Sequence, residues 1–131
     1  MKTFLLTTAT YLALASAAFA GPFQYECTIE RLMFDDDDMD EAFWLKKFQS
    51  SKLYIERSTG AVFHPEITVT STDQISKSMV ISQGNGNTYY KSISISINGF
   101  MTAVNVQEFA SGSKKPMALL ESGKVMTGYC Y

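Results

Sequence analysis

Beyond residue 51, apolar and polar residues alternate and turn residues recur every eight to twelve positions. This period-two pattern predicts short antiparallel strands in an all-β barrel or sandwich. The clearest stretch is Tyr89–Phe109, divided by Asn98-Gly99. That dipeptide is a strong hairpin signal, because both central residues of a type I′ turn need positive φ. A two-residue loop there sets Ile97 opposite Phe100, Ile95 opposite Thr102 and Ile93 opposite Val104. The other face then pairs Ser96 with Met101, Ser94 with Ala103 and Ser92 with Asn105. The isoleucine face is the more apolar and is expected to be the buried one.

A second hairpin is predicted at Ser122-Gly123, joining Pro116–Glu121 to Lys124–Cys130 with Leu120 opposite Val125 and Leu119 opposite Met126. Apolar groups then fall on both faces, so these strands are deeply covered or one face meets something else. Upstream, Lys52–Arg57 and Ala61–His64 flank the short loop Ser58-Thr59-Gly60. Ile75–Ile81 reads as a strand, and the segment Gln83–Asn87, with two glycines, turns it toward the Tyr89 strand. Phe23–Phe34 reads as a long first strand. About eight strands in all are expected, forming a small closed or nearly closed barrel that is filled with side chains or holds one small ligand.

Between Asp35 and Ser51 the period changes. Asp40 is placed to cap a short helix with Phe43, Trp44, Lys47 and Phe48 at helical spacing. Acids stand at its start and Lys46-Lys47 toward its end, as the helix dipole favours.

The first twenty residues have the layout of a secretory signal peptide. Lys2 precedes an apolar run too short to span a bilayer, and Ala18-Phe19-Ala20 is a small-x-small cleavage site followed by Gly21-Pro22. Residues 21–131 are then one exported domain, periplasmic or secreted, with no membrane span. Cleavage leaves 111 residues with ten Lys/Arg and thirteen Asp/Glu, a net charge of −3. Asp35, Asp36, Asp37, Asp38, Asp40 and Glu41 supply six of those negatives within seven residues, so the remainder sums to +3. A body so weakly charged does not suggest nucleic-acid binding. Cys27 and Cys130, the only cysteines, are expected to form a disulfide in an exported chain. Such a bond from first strand to last would tie the two edges of the sheet together.

Candidate chemistry is sparse. One histidine and two cysteines cannot supply a four-ligand His/Cys zinc site. Asp36, Asp38 and Asp40 have the alternating spacing of the first half of an EF-hand. Glu41, however, stands where the turn glycine belongs and Lys47 where the bidentate glutamate belongs, so no metal is assigned. The run reads better as a solvated loop, or as a contact for a basic protein partner. His64 has no nucleophile or carboxylate announced beside it by any motif. Ser111–Lys114 matches S-x-x-K without companion motifs. Glu26, Glu30, Glu56 and Glu108 could pair as acid and base, although strand glutamates are usually surface ion-pair residues. Most tyrosines are expected in the core or wall. Tyr90, on the serine-rich face, is the best candidate for an exposed binding residue.

The plan resembles the small periplasmic inhibitors of c-type lysozyme. The carriers of that likeness are the signal peptide, Tyr25-Glu26-Cys27 at the opening and Gly128-Tyr129-Cys130 at the close. The family's Ser-Gly-x-x-Tyr inhibitory element has its nearest counterpart in Ser58–Phe63, with an added threonine and phenylalanine for tyrosine, so no inhibitory residue is carried over. A lipocalin is a poorer match, since Trp44 lacks the G-x-W context. The expectation is an exported, non-enzymatic binding protein without cofactor, engaging a protein or envelope component. The expected binding residues are Asp36, Asp38, Asp40 and Tyr90. A carrier of a small apolar ligand and an unfamiliar small hydrolase are the alternatives.

Overall fold

Alternation of buried and exposed positions extends Gln24–Phe34 into the long first strand, β1. A computed structural model describes residues 23–66, 75–97 and 99–131; the expected signal peptide and its cleavage site lie outside the described residues. After β1 come helix α1 (Glu41–Gln49), β2 (Leu53–Glu56), β3 (Val62–Phe63), β4 (Ile75–Asn85), β5 (Thr88–Ser96), β6 (Met101–Val106), β7 (Lys115–Glu121) and β8 (Lys124–Cys130). All eight strands belong to one antiparallel sheet in the order β3-β2-β1-β8-β7-β6-β5-β4. The sheet is curled into a half-barrel, and its edges are β3 and β4.

The disulfide Cys27–Cys130 is present, and its half-cystines are direct cross-strand partners on β1 and β8. Those strands are neighbours in the interior of the order, so the expected role of tying the edges is corrected. The bond staples the three-stranded β1–β3 part to the β4–β8 meander.

Helix α1 forms as its sequence directs. The Asp40 carboxylate caps it by accepting from the Phe43 amide at 3.0 Å. It lies along the half of β1 that β2 does not pair. Gln49 Nε2 donates to the Ile29 carbonyl at 3.1 Å, and Phe48 is buried in the core.

The Ser122-Gly123 hairpin has its expected register, with Leu120 opposite Val125 and Leu119 opposite Met126. The first hairpin does not. Ser96 N–H donates to the Phe100 carbonyl at 2.9 Å and Gly99 N–H to the Ser96 carbonyl at 3.0 Å, which leaves three residues, 97–99, in the loop. Gly99 has φ +81°, as the left-handed position of a three-residue hairpin loop requires. Asn98 itself lies outside the described residues. Ser94 therefore pairs with Thr102, Ile93 with Ala103 and Ile95 with Met101. This one-residue slip turns every side chain of the strand to the other face. Ser92, Ser94 and Ser96 are buried, and Ile97 is 67% exposed.

Small inward side chains are what the curl needs at this point. The turn between β2 and β3 folds over the inner face of β5, and Ser94 Oγ donates to the Gly60 carbonyl at 3.0 Å. A Cβ on Gly60 would lie 2.6 Å from Ser92 Cβ and 2.9 Å from the Met79 carbonyl oxygen, so nothing bulkier fits. The edges thus approach through backbone on serine, without a strand ladder. Beside this turn the inner face is apolar, with Tyr25, Ile29, Leu53, Ile55, Val104, Val106, Leu119 and Met126 among the core residues.

A candidate docking face

The expected site residues are placed separately and are largely committed to the fold. Asp40 is the helix cap, and Asp36 accepts from the Asp38 amide at 3.0 Å in a local turn. Asp38 is exposed. Among the described residues no three His, Cys, Asp or Glu side chains are grouped to hold a metal ion. Tyr90 corrects the expectation of an exposed binding residue, because the register slip carries it into the core with no exposed surface. Its ring meets Tyr25 edge-on at 5.2 Å, and its hydroxyl donates to the Arg57 carbonyl at 3.1 Å.

His64 is buried at the end of β3. Its Nδ1 accepts from the Glu66 amide at 3.1 Å, and Nε2 donates to the Phe48 carbonyl at 2.8 Å. The first contact fixes the tautomer that makes the second possible. The ring ties a carbonyl in the last turn of α1 to β3, a structural use of both nitrogens. The four glutamates considered as acid–base pairs hold different partners: Glu26 pairs with Lys52, Glu30 with Lys114 and Glu108 with Arg57, while Glu56 accepts from Thr59. Ser111–Ser113, of the S-x-x-K stretch, is an exposed loop with Gly112 at φ +81°.

Arg57 forms a clasp that local sequence reading missed. It donates to the Gln83 carbonyl at 3.0 Å, meets Glu108 at 3.2 Å and lies over the Tyr25 ring at 4.9 Å. It thereby joins the end of β2 to β4 and to the residue pair beyond β6, across the gap between the sheet edges. Burial pushes the Tyr90 hydroxyl above its usual range, with the Ser92 side chain and Arg57 opposing. Burial likewise pushes the Glu108 carboxyl up, opposed by Lys115.

The uncommitted surface lies on the convex side. Cross-strand register links Met79 to Ile93, Ile93 to Ala103, Ala103 to Leu120, Leu120 to Val125 and Val125 to Met33. Opposite residues of an antiparallel pair share a face, so these six form one apolar row across β4, β5, β6, β7, β8 and β1. Met33, Met79 and Leu120 are 56%, 47% and 49% exposed. The adjacent row adds Ile95 and Met101, and Ile81 and Ile97 extend the patch. Because alanine stands at 103 and at 118, the middle of the face sinks into a groove of about 300 Å³ between Ile81, Ile93, Leu120 and Val125. Lys77 stands on β4 opposite Ile95, and Lys91 lines the groove from β5. At the β1 side the acidic loop begins at Asp35, whose amide donates to the Gly123 carbonyl at 2.9 Å. The disulfide suits a non-cytoplasmic compartment, and no helix among the described residues is long and apolar enough to cross a membrane.

No protein-family model, curated protein or solved structure matches this chain.

Proposed function

We propose that this is an exported, non-enzymatic binding protein that works by docking another macromolecule on the convex face of its sheet. The observation that carries the reading is the unbroken apolar row from Met79 to Met33, with Lys77 near its β4 end and the aspartate loop near its β1 end. Soluble monomers rarely show contiguous apolar patches of more than a few hundred Å² without using them. The acidic loop keeps its expected part as an electrostatic contact for a basic partner group, now as the rim of this face. The inhibitor-like reading fits a different surface poorly: Gly60, Ala61 and Val62 of the candidate loop are buried against the core. The carrier reading is weakened by the large residues on the concave side, with Tyr25, Tyr90 and Phe48 all in the core.

The test is photo-crosslinking in the producing cell, with a photoreactive residue at position 120 on the face and at position 113 on the exposed loop as control. A defined adduct from position 120 and none from position 113 is expected. Equal, diffuse labelling from both would contradict a docking face.

A further inference from the structure

This inference rests on the docking-face reading and names the chemistry of what docks. We propose that the groove in the convex face captures the C-terminal end of a partner polypeptide whose last residue is apolar. The terminal side chain fills the groove, the carboxylate pairs with Lys91, and the terminal residue's amide N–H donates to Asn105.

The groove lies over β6, where Ala103 and the neighbouring Ala118 keep the floor low. Ile81 and Ile93 wall one side, and Leu120 and Val125 the other. Its volume of about 300 Å³ is at the small end of ligand sites. That is room for a side chain and its neighbour. The hollow is local to adjoining strands, so the curl of the sheet, which holds a flat partner away from the outer strands, does not hinder a single chain end.

The groove also has a polar end. Lys91 and Asn105 are direct partners on β5 and β6, and Asn105 is opposite Ala118 on β7. Their Cβ atoms stand about 5 Å apart, and all three residues line the groove. The ion pairs of the described residues use Lys47, Lys52, Arg57, Lys114 and Lys124 and leave Lys91 out. Its ammonium lies 5.7 Å from the centre of the Tyr89 ring. Asn105 Oδ1 is enclosed and meets no donor among the described residues, whereas buried acceptors are normally bonded.

An anion site, an acceptor in need of an N–H and an apolar hollow therefore adjoin one another. An aliphatic carboxylate has no N–H for Asn105, and an internal peptide segment has no anion for Lys91. A chain's amino terminus would be repelled by Lys91. A C-terminal residue carries all three groups on one Cα: carboxylate, amide nitrogen and side chain. Capture of a chain-end carboxylate is a recurring mode of peptide recognition, and the bond to an ammonium is charge-assisted.

Calorimetric titration of the purified, oxidised chain with acetyl-Ala-Ala-Leu tests this. The peptide with a free carboxylate is expected to bind with Kd below about 1 mM. Its C-terminal amide, and separately its analogue N-methylated at the last peptide bond, should each bind about tenfold more weakly. K91Q should erase the first difference and N105L the second, each leaving the other in place, a pattern that a merely structural role would not give. The peptide comparisons on the wild-type chain need no variant to fold. Absence of saturation up to about 5 mM peptide would overturn the chain-end site, as would equal binding of the acid and amide forms. Decanoate that binds more tightly and displaces the peptide would make the groove an acyl-chain site and overturn it too. If the chain-end site falls while position 120 still crosslinks to a defined protein, the docking face stands. If position 120 gives no defined adduct either, both readings fall.

Discussion

The Ser94 hydroxyl donates to the Gly60 carbonyl at 3.0 Å, joining the tip of the β2–β3 turn to the inner face of β5. That contact explains an arrangement that otherwise looks inverted, with serines inside and isoleucines outside. A half-barrel whose edges do not pair needs another way to hold them near each other. Here a glycine turn seated on small side chains does so, and the isoleucines released to the convex side become the apolar face.

Gly60→Ala is the sharpest test of that closure. The position has φ +78°, and a Cβ would lie 2.6 Å from Ser92 Cβ. The left-handed backbone and the overpacking together should cost about 3 kcal/mol. The denaturation midpoint is expected to fall with the slope unchanged. A loss within ordinary surface variation would mean that the turn is not seated.

Removing the staple should act on the middle of the sheet. The Cys27–Cys130 link spans 103 residues of sequence, and for such a loop the chain-entropy treatment gives roughly 4–5 kcal/mol. The double variant Cys27→Ser, Cys130→Ser is expected to lose about 2–5 kcal/mol. Its amides on β1 and β8 should lose hydrogen-exchange protection more than those on β5 and β6. Superimposable unfolding curves with and without the bond would contradict this.

Alkaline pH should loosen the seam. Burial raises the Tyr90 hydroxyl's pKa, so the folded state holds this proton more tightly than the unfolded chain. Its contribution is present below pH about 10 and is lost as pH rises through the raised value. Denaturation midpoints followed between pH about 9 and 11.5 are expected to fall, and Tyr90→Phe should fall less steeply. Equal slopes would place the alkaline sensitivity elsewhere.

How much of this was legible in the sequence depends on whether local or distant residues decide each feature. The β7–β8 register was readable because Ser122-Gly123 admits a two-residue loop and Glu121 pairs directly with Lys124. The helix was readable because Asp40 is a local cap. At Asn98-Gly99 the same glycine serves a two- or a three-residue loop, and the inward need for small residues comes from Gly60, far away in the chain. Tyr90 and the serines were misplaced for that single reason. The Arg57–Glu108 clasp joins residues 51 apart and has no local pattern. One signal for the outer face was present: the second hairpin was apolar on both sides. Carried across the neighbouring pairs, it leads through Leu120 and Ala103 to Ile93.

The central claim is that the isoleucine face of a folded, oxidised chain points to solvent. Isoleucine δ1-methyl NMR of the purified chain with a soluble gadolinium chelate measures this directly. The expected result is strong broadening for Ile81 and Ile97, intermediate broadening for Ile93 and Ile95, and protection of Ile29 and Ile55, which are 2% and 0% exposed. Protection of Ile93, Ile95 and Ile97 equal to that of Ile29 and Ile55 would contradict it, restoring a serine face in solvent and removing the docking face.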